Sequence, residues 1–175
     1  MSLQDDLRGV IRQEATRLHT PEGIDPAQLL AALAAIESSF GLNAVPNHEP
    51  AYDEGGGYYR AAQHVRDLHK TWGAWAACSY GPWQILFVTA WEMGFRGTPS
   101  ELWSPSGCIE WVVRAMNARI FDKGATSVEQ TADAWNSGSF QDKIWPGGYV
   151  KQVMDAYARQ DLLDPFGSNV SGIGG

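Results

Sequence analysis

The sequence predicts a mostly α-helical protein built as a single domain. Apolar residues recur every three or four positions in several segments, and helix-capping residues stand at the ends of those segments. No segment shows the sustained alternation of apolar and polar residues that is typical of a β-strand. A chain of 175 residues fits one domain, and a hydrophobic fraction of 44% is ordinary for a globular protein. We expect about six or seven helices around one core.

The second of these helices has the clearest signals. Asp25 is a good N-cap and Pro26 fits the first helical position. Gly41 suits the left-handed position that commonly ends a helix. The apolar residues between them recur at helical spacing and define one buried face: Leu29, Leu33, Ile36 and Phe40.

The remaining helices are predicted from the same kind of pattern, over residues 4–18, 58–72, 83–93, 108–121, 127–135 and 149–163. The fifth helix in chain order, 108–121, is nearly all apolar and is expected to be the buried central one. The Pro- and Gly-containing segments 42–57 and 73–82 are predicted to be irregular, with room for a short hairpin. Residues 164–175 are Gly- and Ser-rich and are expected to form a flexible tail.

Composition excludes several classes of function. The formal net charge is −7 with no basic patch, which argues against a nucleic-acid partner. No apolar run is long enough to insert in a membrane, and Met1 to Arg12 are too polar for a secretory signal. No spacing of His or Cys predicts a metal site, and no cofactor motif is present. Cys78 and Cys108 are predicted either to form one disulfide or to be two buried free thiols.

Glu37 is the strongest candidate for a catalytic residue. It follows Leu33 by four residues and precedes Phe40 by three, so its carboxyl lies within or beside the apolar face of its helix. It also lies in the last turn, where the helix dipole disfavours negative charge. Both effects raise the pKa of a carboxyl, which is what a glycosidase needs in its general acid. The alternative is a Glu at the rim of the core that reaches solvent or pairs with an Arg.

Glu37 is also the first residue in a series of short motifs. Each motif alone is weak, but four of them occur in order between residues 25 and 157: Glu37-Ser38-Ser39-Phe40, then Ser79-Tyr80-Gly81-Pro82-Trp83-Gln84-Ile85 with Thr89-Ala90, then Ala134-Trp135-Asn136-Ser137-Gly138, then Tyr149-Val150. This series resembles the soluble lytic transglycosylase family, whose fold is similar to goose-type lysozyme. The family carries E-S-x-F at a helix end, then G-L-M-Q, then A-Y-N-[AS]-G, then Y-V.

The resemblance implies a lysozyme-like domain over residues 1–163 with a substrate cleft, acting on bacterial peptidoglycan without a cofactor. It implies that Glu37 is the catalytic acid and base and that Tyr149 lies close to it. It also implies a set of substrate-binding residues: Ser38, Ser79, Trp83, Gln84, Trp135, Asn136 and Tyr149.

The sequence departs from the family pattern at several points. Gly81-Pro82-Trp83-Gln84 stands for G-L-M-Q, and Trp135 stands for the family's Tyr. Aligned on Gln84, the family's upstream Ser falls on Trp75, so its polar contacts do not carry over. The interval between Glu37 and Gln84 is longer than is usual. We interpret residues 44–76 as an insert that forms a lobe over the cleft, or that only packs on the core.

Two reaction types remain open. The family's transglycosylases use one carboxyl, which protonates the bond between N-acetylmuramic acid and N-acetylglucosamine and then deprotonates the C6 hydroxyl to give a 1,6-anhydro ring. An inverting muramidase needs a second carboxylate about 6.5–9.5 Å away to activate water. The candidates for that carboxylate are Asp53, Glu54 and Glu49. We favour the single-acid reaction.

Other functions remain as alternatives. One is a non-catalytic glycan-binding or structural phage protein with the same fold, and another is a chitinase- or chitosanase-like hydrolase. With no visible signal peptide, the sequence favours synthesis in the cytoplasm and action on the periplasmic or extracellular wall, as in a bacteriophage endolysin or a virion component. We expect a monomer.

Overall fold

In a computed structural model of the protein, the structure describes residues 2–138, 140–141 and 147–164. This part of the chain contains eight α-helices and one small antiparallel sheet. The helices are α1 (Leu3–Glu14), α2 (Pro26–Ser38), α3 (Gly57–Ala61), α4 (Gln63–Trp72), α5 (Phe87–Glu92), α6 (Pro105–Arg119), α7 (Val128–Ser137) and α8 (Gly148–Tyr157). The strands are β1 (Asn47–His48), β2 (Cys78–Tyr80) and β3 (Ile85–Leu86). The mostly helical class predicted from the sequence is confirmed.

Helix α2 is the most enclosed helix and carries Glu37 in its last turn. Asp25 caps it by accepting hydrogen bonds from the backbone N–H groups of Ala27 and Gln28, as its sequence predicts. All residues from Leu29 to Ala34 are buried, so the middle of the helix is enclosed on every side. Helices α1 and α8 pack against it, and α7 packs against α8. These contacts bring the end of α2 beside the start of α8.

Helix α6, which the sequence predicted to be the buried central helix, has one buried side and one side with exposed residues such as Arg114 and Ala118, so α2 is the more enclosed of the two. Helix α6 begins at Pro105, with the Ser104 hydroxyl accepting from the N–H of Gly107, and ends at Arg119. Its buried side packs against α1 and α5. The side chains on that side are Cys108, Ile109, Val112, Val113, Ala115 and Met116. The last residue of the helix, Arg119, reaches the groove described below.

The insert at 44–76 differs from the sequence prediction in two ways. The predicted helix over 58–72 is two helices, α3 and α4, because the backbone is extended at Ala62 (φ −121°, ψ 123°). This break explains why eight helices are present instead of the six or seven expected. The hairpin that the sequence left open is a three-stranded sheet, in which β2 pairs with β1 and with β3.

The predicted helix over 83–93 also begins later than expected. Residues 81–84 form a tight turn, Ile85 and Leu86 form β3, and the helix starts only at Phe87. The last helix ends at Tyr157 rather than at residue 163. Of the predicted tail, residues 165–175 lie outside the described residues. Among the described residues, no helix is both long and apolar enough to cross a membrane.

Candidate active site

The end of α2 turns sharply, and Glu37 lies in the last turn of the helix, just before a loop. The helix ends at Ser38, three residues before Gly41, because Ser39 and Phe40 already adopt left-handed backbone angles (φ 53° and 57°). Such angles are uncommon for residues other than glycine and carry strain that the surroundings must hold. Phe40 is held by burial in the core, at 5% exposure. Gly41 therefore continues a left-handed turn that has already begun.

Tyr149 hydrogen-bonds directly to Glu37. Its hydroxyl donates to Oε1 of the carboxyl, across 112 residues of sequence. The side chain of Trp135, whose only donor is the indole N–H, also hydrogen-bonds to this carboxyl. The expectation that Tyr149 lies close to Glu37 agrees with this geometry.

The pKa of Glu37 is raised above its ordinary value, chiefly because the carboxyl is desolvated by burial. The hydrogen bond from Tyr149 opposes this shift, since it stabilises the ionised form. The negative charge of Glu49 raises the pKa further, and the Trp135 bond lowers it again. Burial prevails, so the carboxyl keeps its proton to higher pH than an exposed Glu does.

A groove of about 710 Å³ opens in front of Glu37. Four of the substrate-binding residues predicted from the sequence line it: Ser79, Gln84, Trp135 and Asn136. Glu37 and these four come from α2, from the β2–β3 hairpin and from the end of α7. Three distant segments of the sequence therefore meet at one groove, whose volume is in the range of ligand-binding clefts.

The β2–β3 turn fixes the amide of Gln84 at the groove. Gln84 has a left-handed backbone (φ 48°), and its Oε1 accepts from the Ser79 hydroxyl at 3.0 Å. Its amide nitrogen donates to the carbonyl of Gly81 at 3.0 Å and to that of Val45 at 3.3 Å. The amide is thus oriented before any ligand binds. Ser79 is buried, so its main contribution to the groove is to hold the Gln84 amide in place.

The prediction that Trp83 and Ser38 bind substrate is wrong, because both side chains are buried away from the groove. Trp83 is fully buried, and its indole N–H donates to the carbonyl of Leu30 at 2.8 Å, so the side chain belongs to the core. Ser38 is 2% exposed, and its hydroxyl oxygen lies 2.8 Å from the carbonyl oxygen of Pro82 and accepts from the N–H of Gly41. It ties the end of α2 to the β2–β3 turn and does not line the groove.

The three candidates for a second carboxylate lie in different environments. Asp53 accepts from His48 and His69, each with Nε2 at 2.6 Å, and does not line the groove. These bonds, after that from the Glu54 backbone N–H, lower the pKa of Asp53 to about 2. Glu54 is exposed and also lies outside the groove. Glu49 alone of the three lines it, with Oε1 accepting from the Asn47 amide at 2.8 Å.

The groove also contains residues that the sequence analysis did not identify as a site. His64, Glu92 and Arg119 line it, and they come from α4, α5 and α6. Arg119 is the charged last residue of α6, but Glu110 and Arg114 are charged residues of the same helix, so its charge alone did not mark it as a site residue. That it meets Glu92 depends on how α5 packs on α6, which no local pattern reveals.

The cysteines and the potential metal ligands of the described residues do not form a second candidate site. Both cysteines are free and buried, and burial raises the pKa of each thiol, so neither is a ready nucleophile. No group of three metal-ligating side chains is present among the described residues. Comparisons of the chain with family models, with curated proteins and with solved structures gave no match.

Proposed function

We propose that this protein is a lytic transglycosylase that cleaves the bond between N-acetylmuramic acid and N-acetylglucosamine in peptidoglycan, with Glu37 as its acid and base. The observation that carries the proposal is a buried carboxyl with a raised pKa, bonded by Tyr149, at the wall of a groove. The substrate class comes from the resemblance of the four sequence motifs, in their order along the chain, to those of the lytic transglycosylase family. The lysozyme-like identity of the helical fold is part of the same proposal.

The reaction needs one carboxyl in two protonation states. Protonated Glu37 gives its proton to the glycosidic oxygen as the bond from that oxygen to C1 of the muramyl residue breaks. The resulting carboxylate takes the proton of the C6 hydroxyl while O6 bonds to C1, which closes the 1,6-anhydro ring. No water is consumed, and Glu37 is protonated again at the end.

The neighbours of Glu37 suit these two steps. Tyr149 and Trp135 donate to the carboxyl, so they stabilise the carboxylate that forms after the first proton transfer. Trp135 and Asn136 also line the groove, where an indole face can stack on the apolar face of a sugar ring. The fixed Gln84 amide offers a polar contact to an N-acetyl or hydroxyl group.

The products of peptidoglycan digestion test this proposal. Purified peptidoglycan is incubated with the protein, and the soluble fragments are analysed by mass spectrometry. Anhydro ends, lighter by one water than reducing ends, are expected. Glu37→Gln keeps the shape and accepts the Tyr149 bond but cannot donate the proton, so we expect a rate loss of about 10²–10⁴. Equal release of fragments by both proteins would contradict the catalytic role of Glu37. No release by either protein would favour a glycan-binding or structural protein.

A muramidase is the second candidate, and the position of Glu49 favours it. Glu49 lines the groove and its charge acts on Glu37, so it is the carboxylate best placed to activate water on the other face of the sugar. Glu49→Gln separates the two reactions. A muramidase would give reducing ends and lose most activity in this variant, whereas a transglycosylase would keep anhydro products and activity within about tenfold.

The same assay bears on substrate class and location. Chitin oligomers incubated in parallel should remain intact if the muramyl residue is required, whereas their cleavage would favour the chitinase-like reading. Peptidoglycan lies outside the cytoplasmic membrane, so we propose that the protein acts there, after release of the kind that an endolysin uses.

A further inference from the structure

The groove extends beyond Glu37 to a second set of side chains, here called the distal wall: Tyr52, Tyr58, His64, Thr89, Glu92 and Arg119. The charge of Glu49 influences both Glu37 and Tyr52. Tyr52 is in turn influenced by the charges of Arg119 and Glu92. Glu37, Glu49 and the distal wall all line one groove.

The distal wall is an organised polar cluster. Arg119 forms an ion pair with Glu92 through Nη2, and its Nη1 donates to the Thr89 hydroxyl at 3.2 Å. His64 Nε2 lies 2.7 Å from the other oxygen of Glu92. The side chains of Arg119 and Glu92 remain about one third exposed, at 32% and 34%. The guanidinium is therefore held in place and still accessible from the groove.

Arg119 retains hydrogen-bonding capacity. A guanidinium has five N–H groups, and the two bonds described use two of them. The others find no acceptor among the residues that the structure describes. A planar, oriented guanidinium is well suited to bind a carboxylate through two parallel bonds.

An aromatic pair stands beside this cluster. The rings of Tyr52 and Tyr58 stack with centroids 4.5 Å apart and planes at 11°. Tyr58 is 54% exposed, so one face of the pair is open to the groove side. Both tyrosines come from the insert, whereas Arg119, Glu92 and Thr89 come from α5 and α6.

We infer that the distal wall is a binding site for the stem peptide of peptidoglycan, with Arg119 binding a peptide carboxylate while the tyrosine pair contacts the adjoining sugar or acyl chain. This inference rests on the proposed function for the identity of the substrate. Glu92 acts as a positioning residue, since it orients the guanidinium and touches the ligand only through it. The distal wall would thus make the enzyme prefer strands that carry peptides over bare glycan.

Binding tests the inference without relying on catalysis. The Glu37→Gln protein is titrated with a soluble disaccharide-peptide and with the same disaccharide without its peptide. We expect binding about tenfold tighter for the peptide-bearing ligand, because a charge-assisted bidentate pair is at stake. Arg119→Gln in the same background should abolish this preference. Equal affinities for the two ligands would overturn the inference.

Three further variants test whether the effect of Arg119→Gln is specific. Arg114→Gln is the matched control, because Arg114 is also on α6 but pairs with Glu110 and does not line the groove; it should keep the preference. Tyr58→Ala changes an exposed side chain and should weaken both ligands without unfolding. If Arg119→Gln does not fold, Arg119→Lys, which keeps the charge and loses the planar fork, should reduce the preference by several-fold.

Cleavage assays separate the two proposals. Peptidoglycan and the same material stripped of its peptides by an amidase are digested in parallel. Faster cleavage of intact material by the wild type, with the difference lost in Arg119→Gln, supports both. If neither material is cleaved while the binding preference persists, the proposed reaction fails and the peptide site stands.

Discussion

Tyr149 donates its hydroxyl hydrogen to Glu37 from a helix that begins 110 residues after α2 ends. This bond holds one carboxyl oxygen in place while burial raises the pKa of the carboxyl. The two effects act on the pKa in opposite directions, and burial is the larger. The carboxyl is therefore oriented, and its pKa lies above that of an exposed Glu.

Tyr149→Phe should slow the reaction and move its pH profile. Losing the bond removes an influence that lowers the pKa of Glu37, so the pKa should rise further. The alkaline limb of the pH–rate profile should then shift to higher pH, while the maximal rate falls about 10- to 100-fold through loss of orientation. Initial rates on peptidoglycan across a range of pH values measure both effects.

Tyr157→Phe provides the matched control for that experiment. Tyr157 lies on the same helix, but its hydroxyl accepts from the backbone N–H of Asp25, and neither residue lines the groove. Its pH profile should match that of the wild type. An unshifted profile in Tyr149→Phe would show that this bond does not tune the acid.

Glu37→Gln should stabilise the folded protein at neutral pH. The pKa of Glu37 is raised from 4.5 on folding, so the folded state favours the protonated form. Wild-type stability is then highest below the unfolded pKa and is lost as pH rises through the folded pKa. Gln carries no charge at any pH. The variant should therefore melt higher than the wild type at about pH 8 and alike at about pH 4. Identical melting temperatures at both would mean that the carboxyl is well solvated.

The sequence predicted the main parts of the site for local reasons. The Asp25 cap and the apolar spacing along α2 place Glu37 in the last turn beside the core, and both are local features. Trp83 shows where this reasoning ends. A Trp inside a motif is equally compatible with a sugar contact and with a core position, and only the packing of the hairpin against Leu30 decides it.

Tertiary contacts also determine the structure of the insert, residues 44–76, which the sequence did not predict in detail. Ala62 is a good helix former, so no local signal marks the break between α3 and α4. Asp53, Glu54 and Glu49 are similar acidic residues in one loop region of the sequence. Two histidines from β1 and α4 engage Asp53, while Glu49 turns into the groove. The sequence alone could not rank them, because the ranking depends on which partners fold within reach.

Trp83→Phe tests the assignment of Trp83 to the core. The change removes buried volume and the bond to the Leu30 carbonyl, so it should cost about 1–3 kcal/mol of unfolding free energy. Substrate affinity of the folded variant should be unchanged. Trp103→Phe, at a side chain that is 47% exposed, should alter stability by less than about 0.5 kcal/mol. Chemical denaturation measures the free energy of unfolding, and ligand titration measures the affinity. A change in affinity with little loss of stability would contradict the core assignment and indicate that Trp83 contacts the substrate.

Gly81→Ala should be strongly destabilising because two costs combine. The backbone is left-handed there (φ 71°), and an added Cβ would lie 2.6 Å from the carbonyl oxygen of Leu102 and 2.8 Å from Cys108 Sγ. We expect a loss of about 2–5 kcal/mol from the backbone and steric terms together. Gly124→Ala isolates the backbone term, since its φ is 105° and nothing lies within 4 Å of its Cβ; about 1–2 kcal/mol is expected. Equal losses in the two variants, measured by denaturant unfolding, would mean that Leu102 and Cys108 yield without cost.

Asp53→Asn should loosen the insert and alter how stability depends on acid. The Asp53 carboxylate joins His48 on β1 to His69 on α4, and an amide offers only one acceptor for the two nitrogens. The pKa of Asp53 is lowered from 3.8 to about 2 on folding. Its contribution to stability is therefore complete above the unfolded pKa and is lost as pH falls through the folded value.

The melting temperature of Asp53→Asn should accordingly lie below that of the wild type near neutral pH, and the two should converge as the pH approaches about 2. Glu54→Gln is the matched control, because Glu54 is the adjacent acid and is exposed; it should follow the wild type throughout. Hydrogen exchange adds a local readout, since amides of α4 and β1 should exchange faster in Asp53→Asn than in Glu54→Gln. A constant offset in melting temperature across the whole pH range would mean that Asp53 supports the insert by packing and not through its charge.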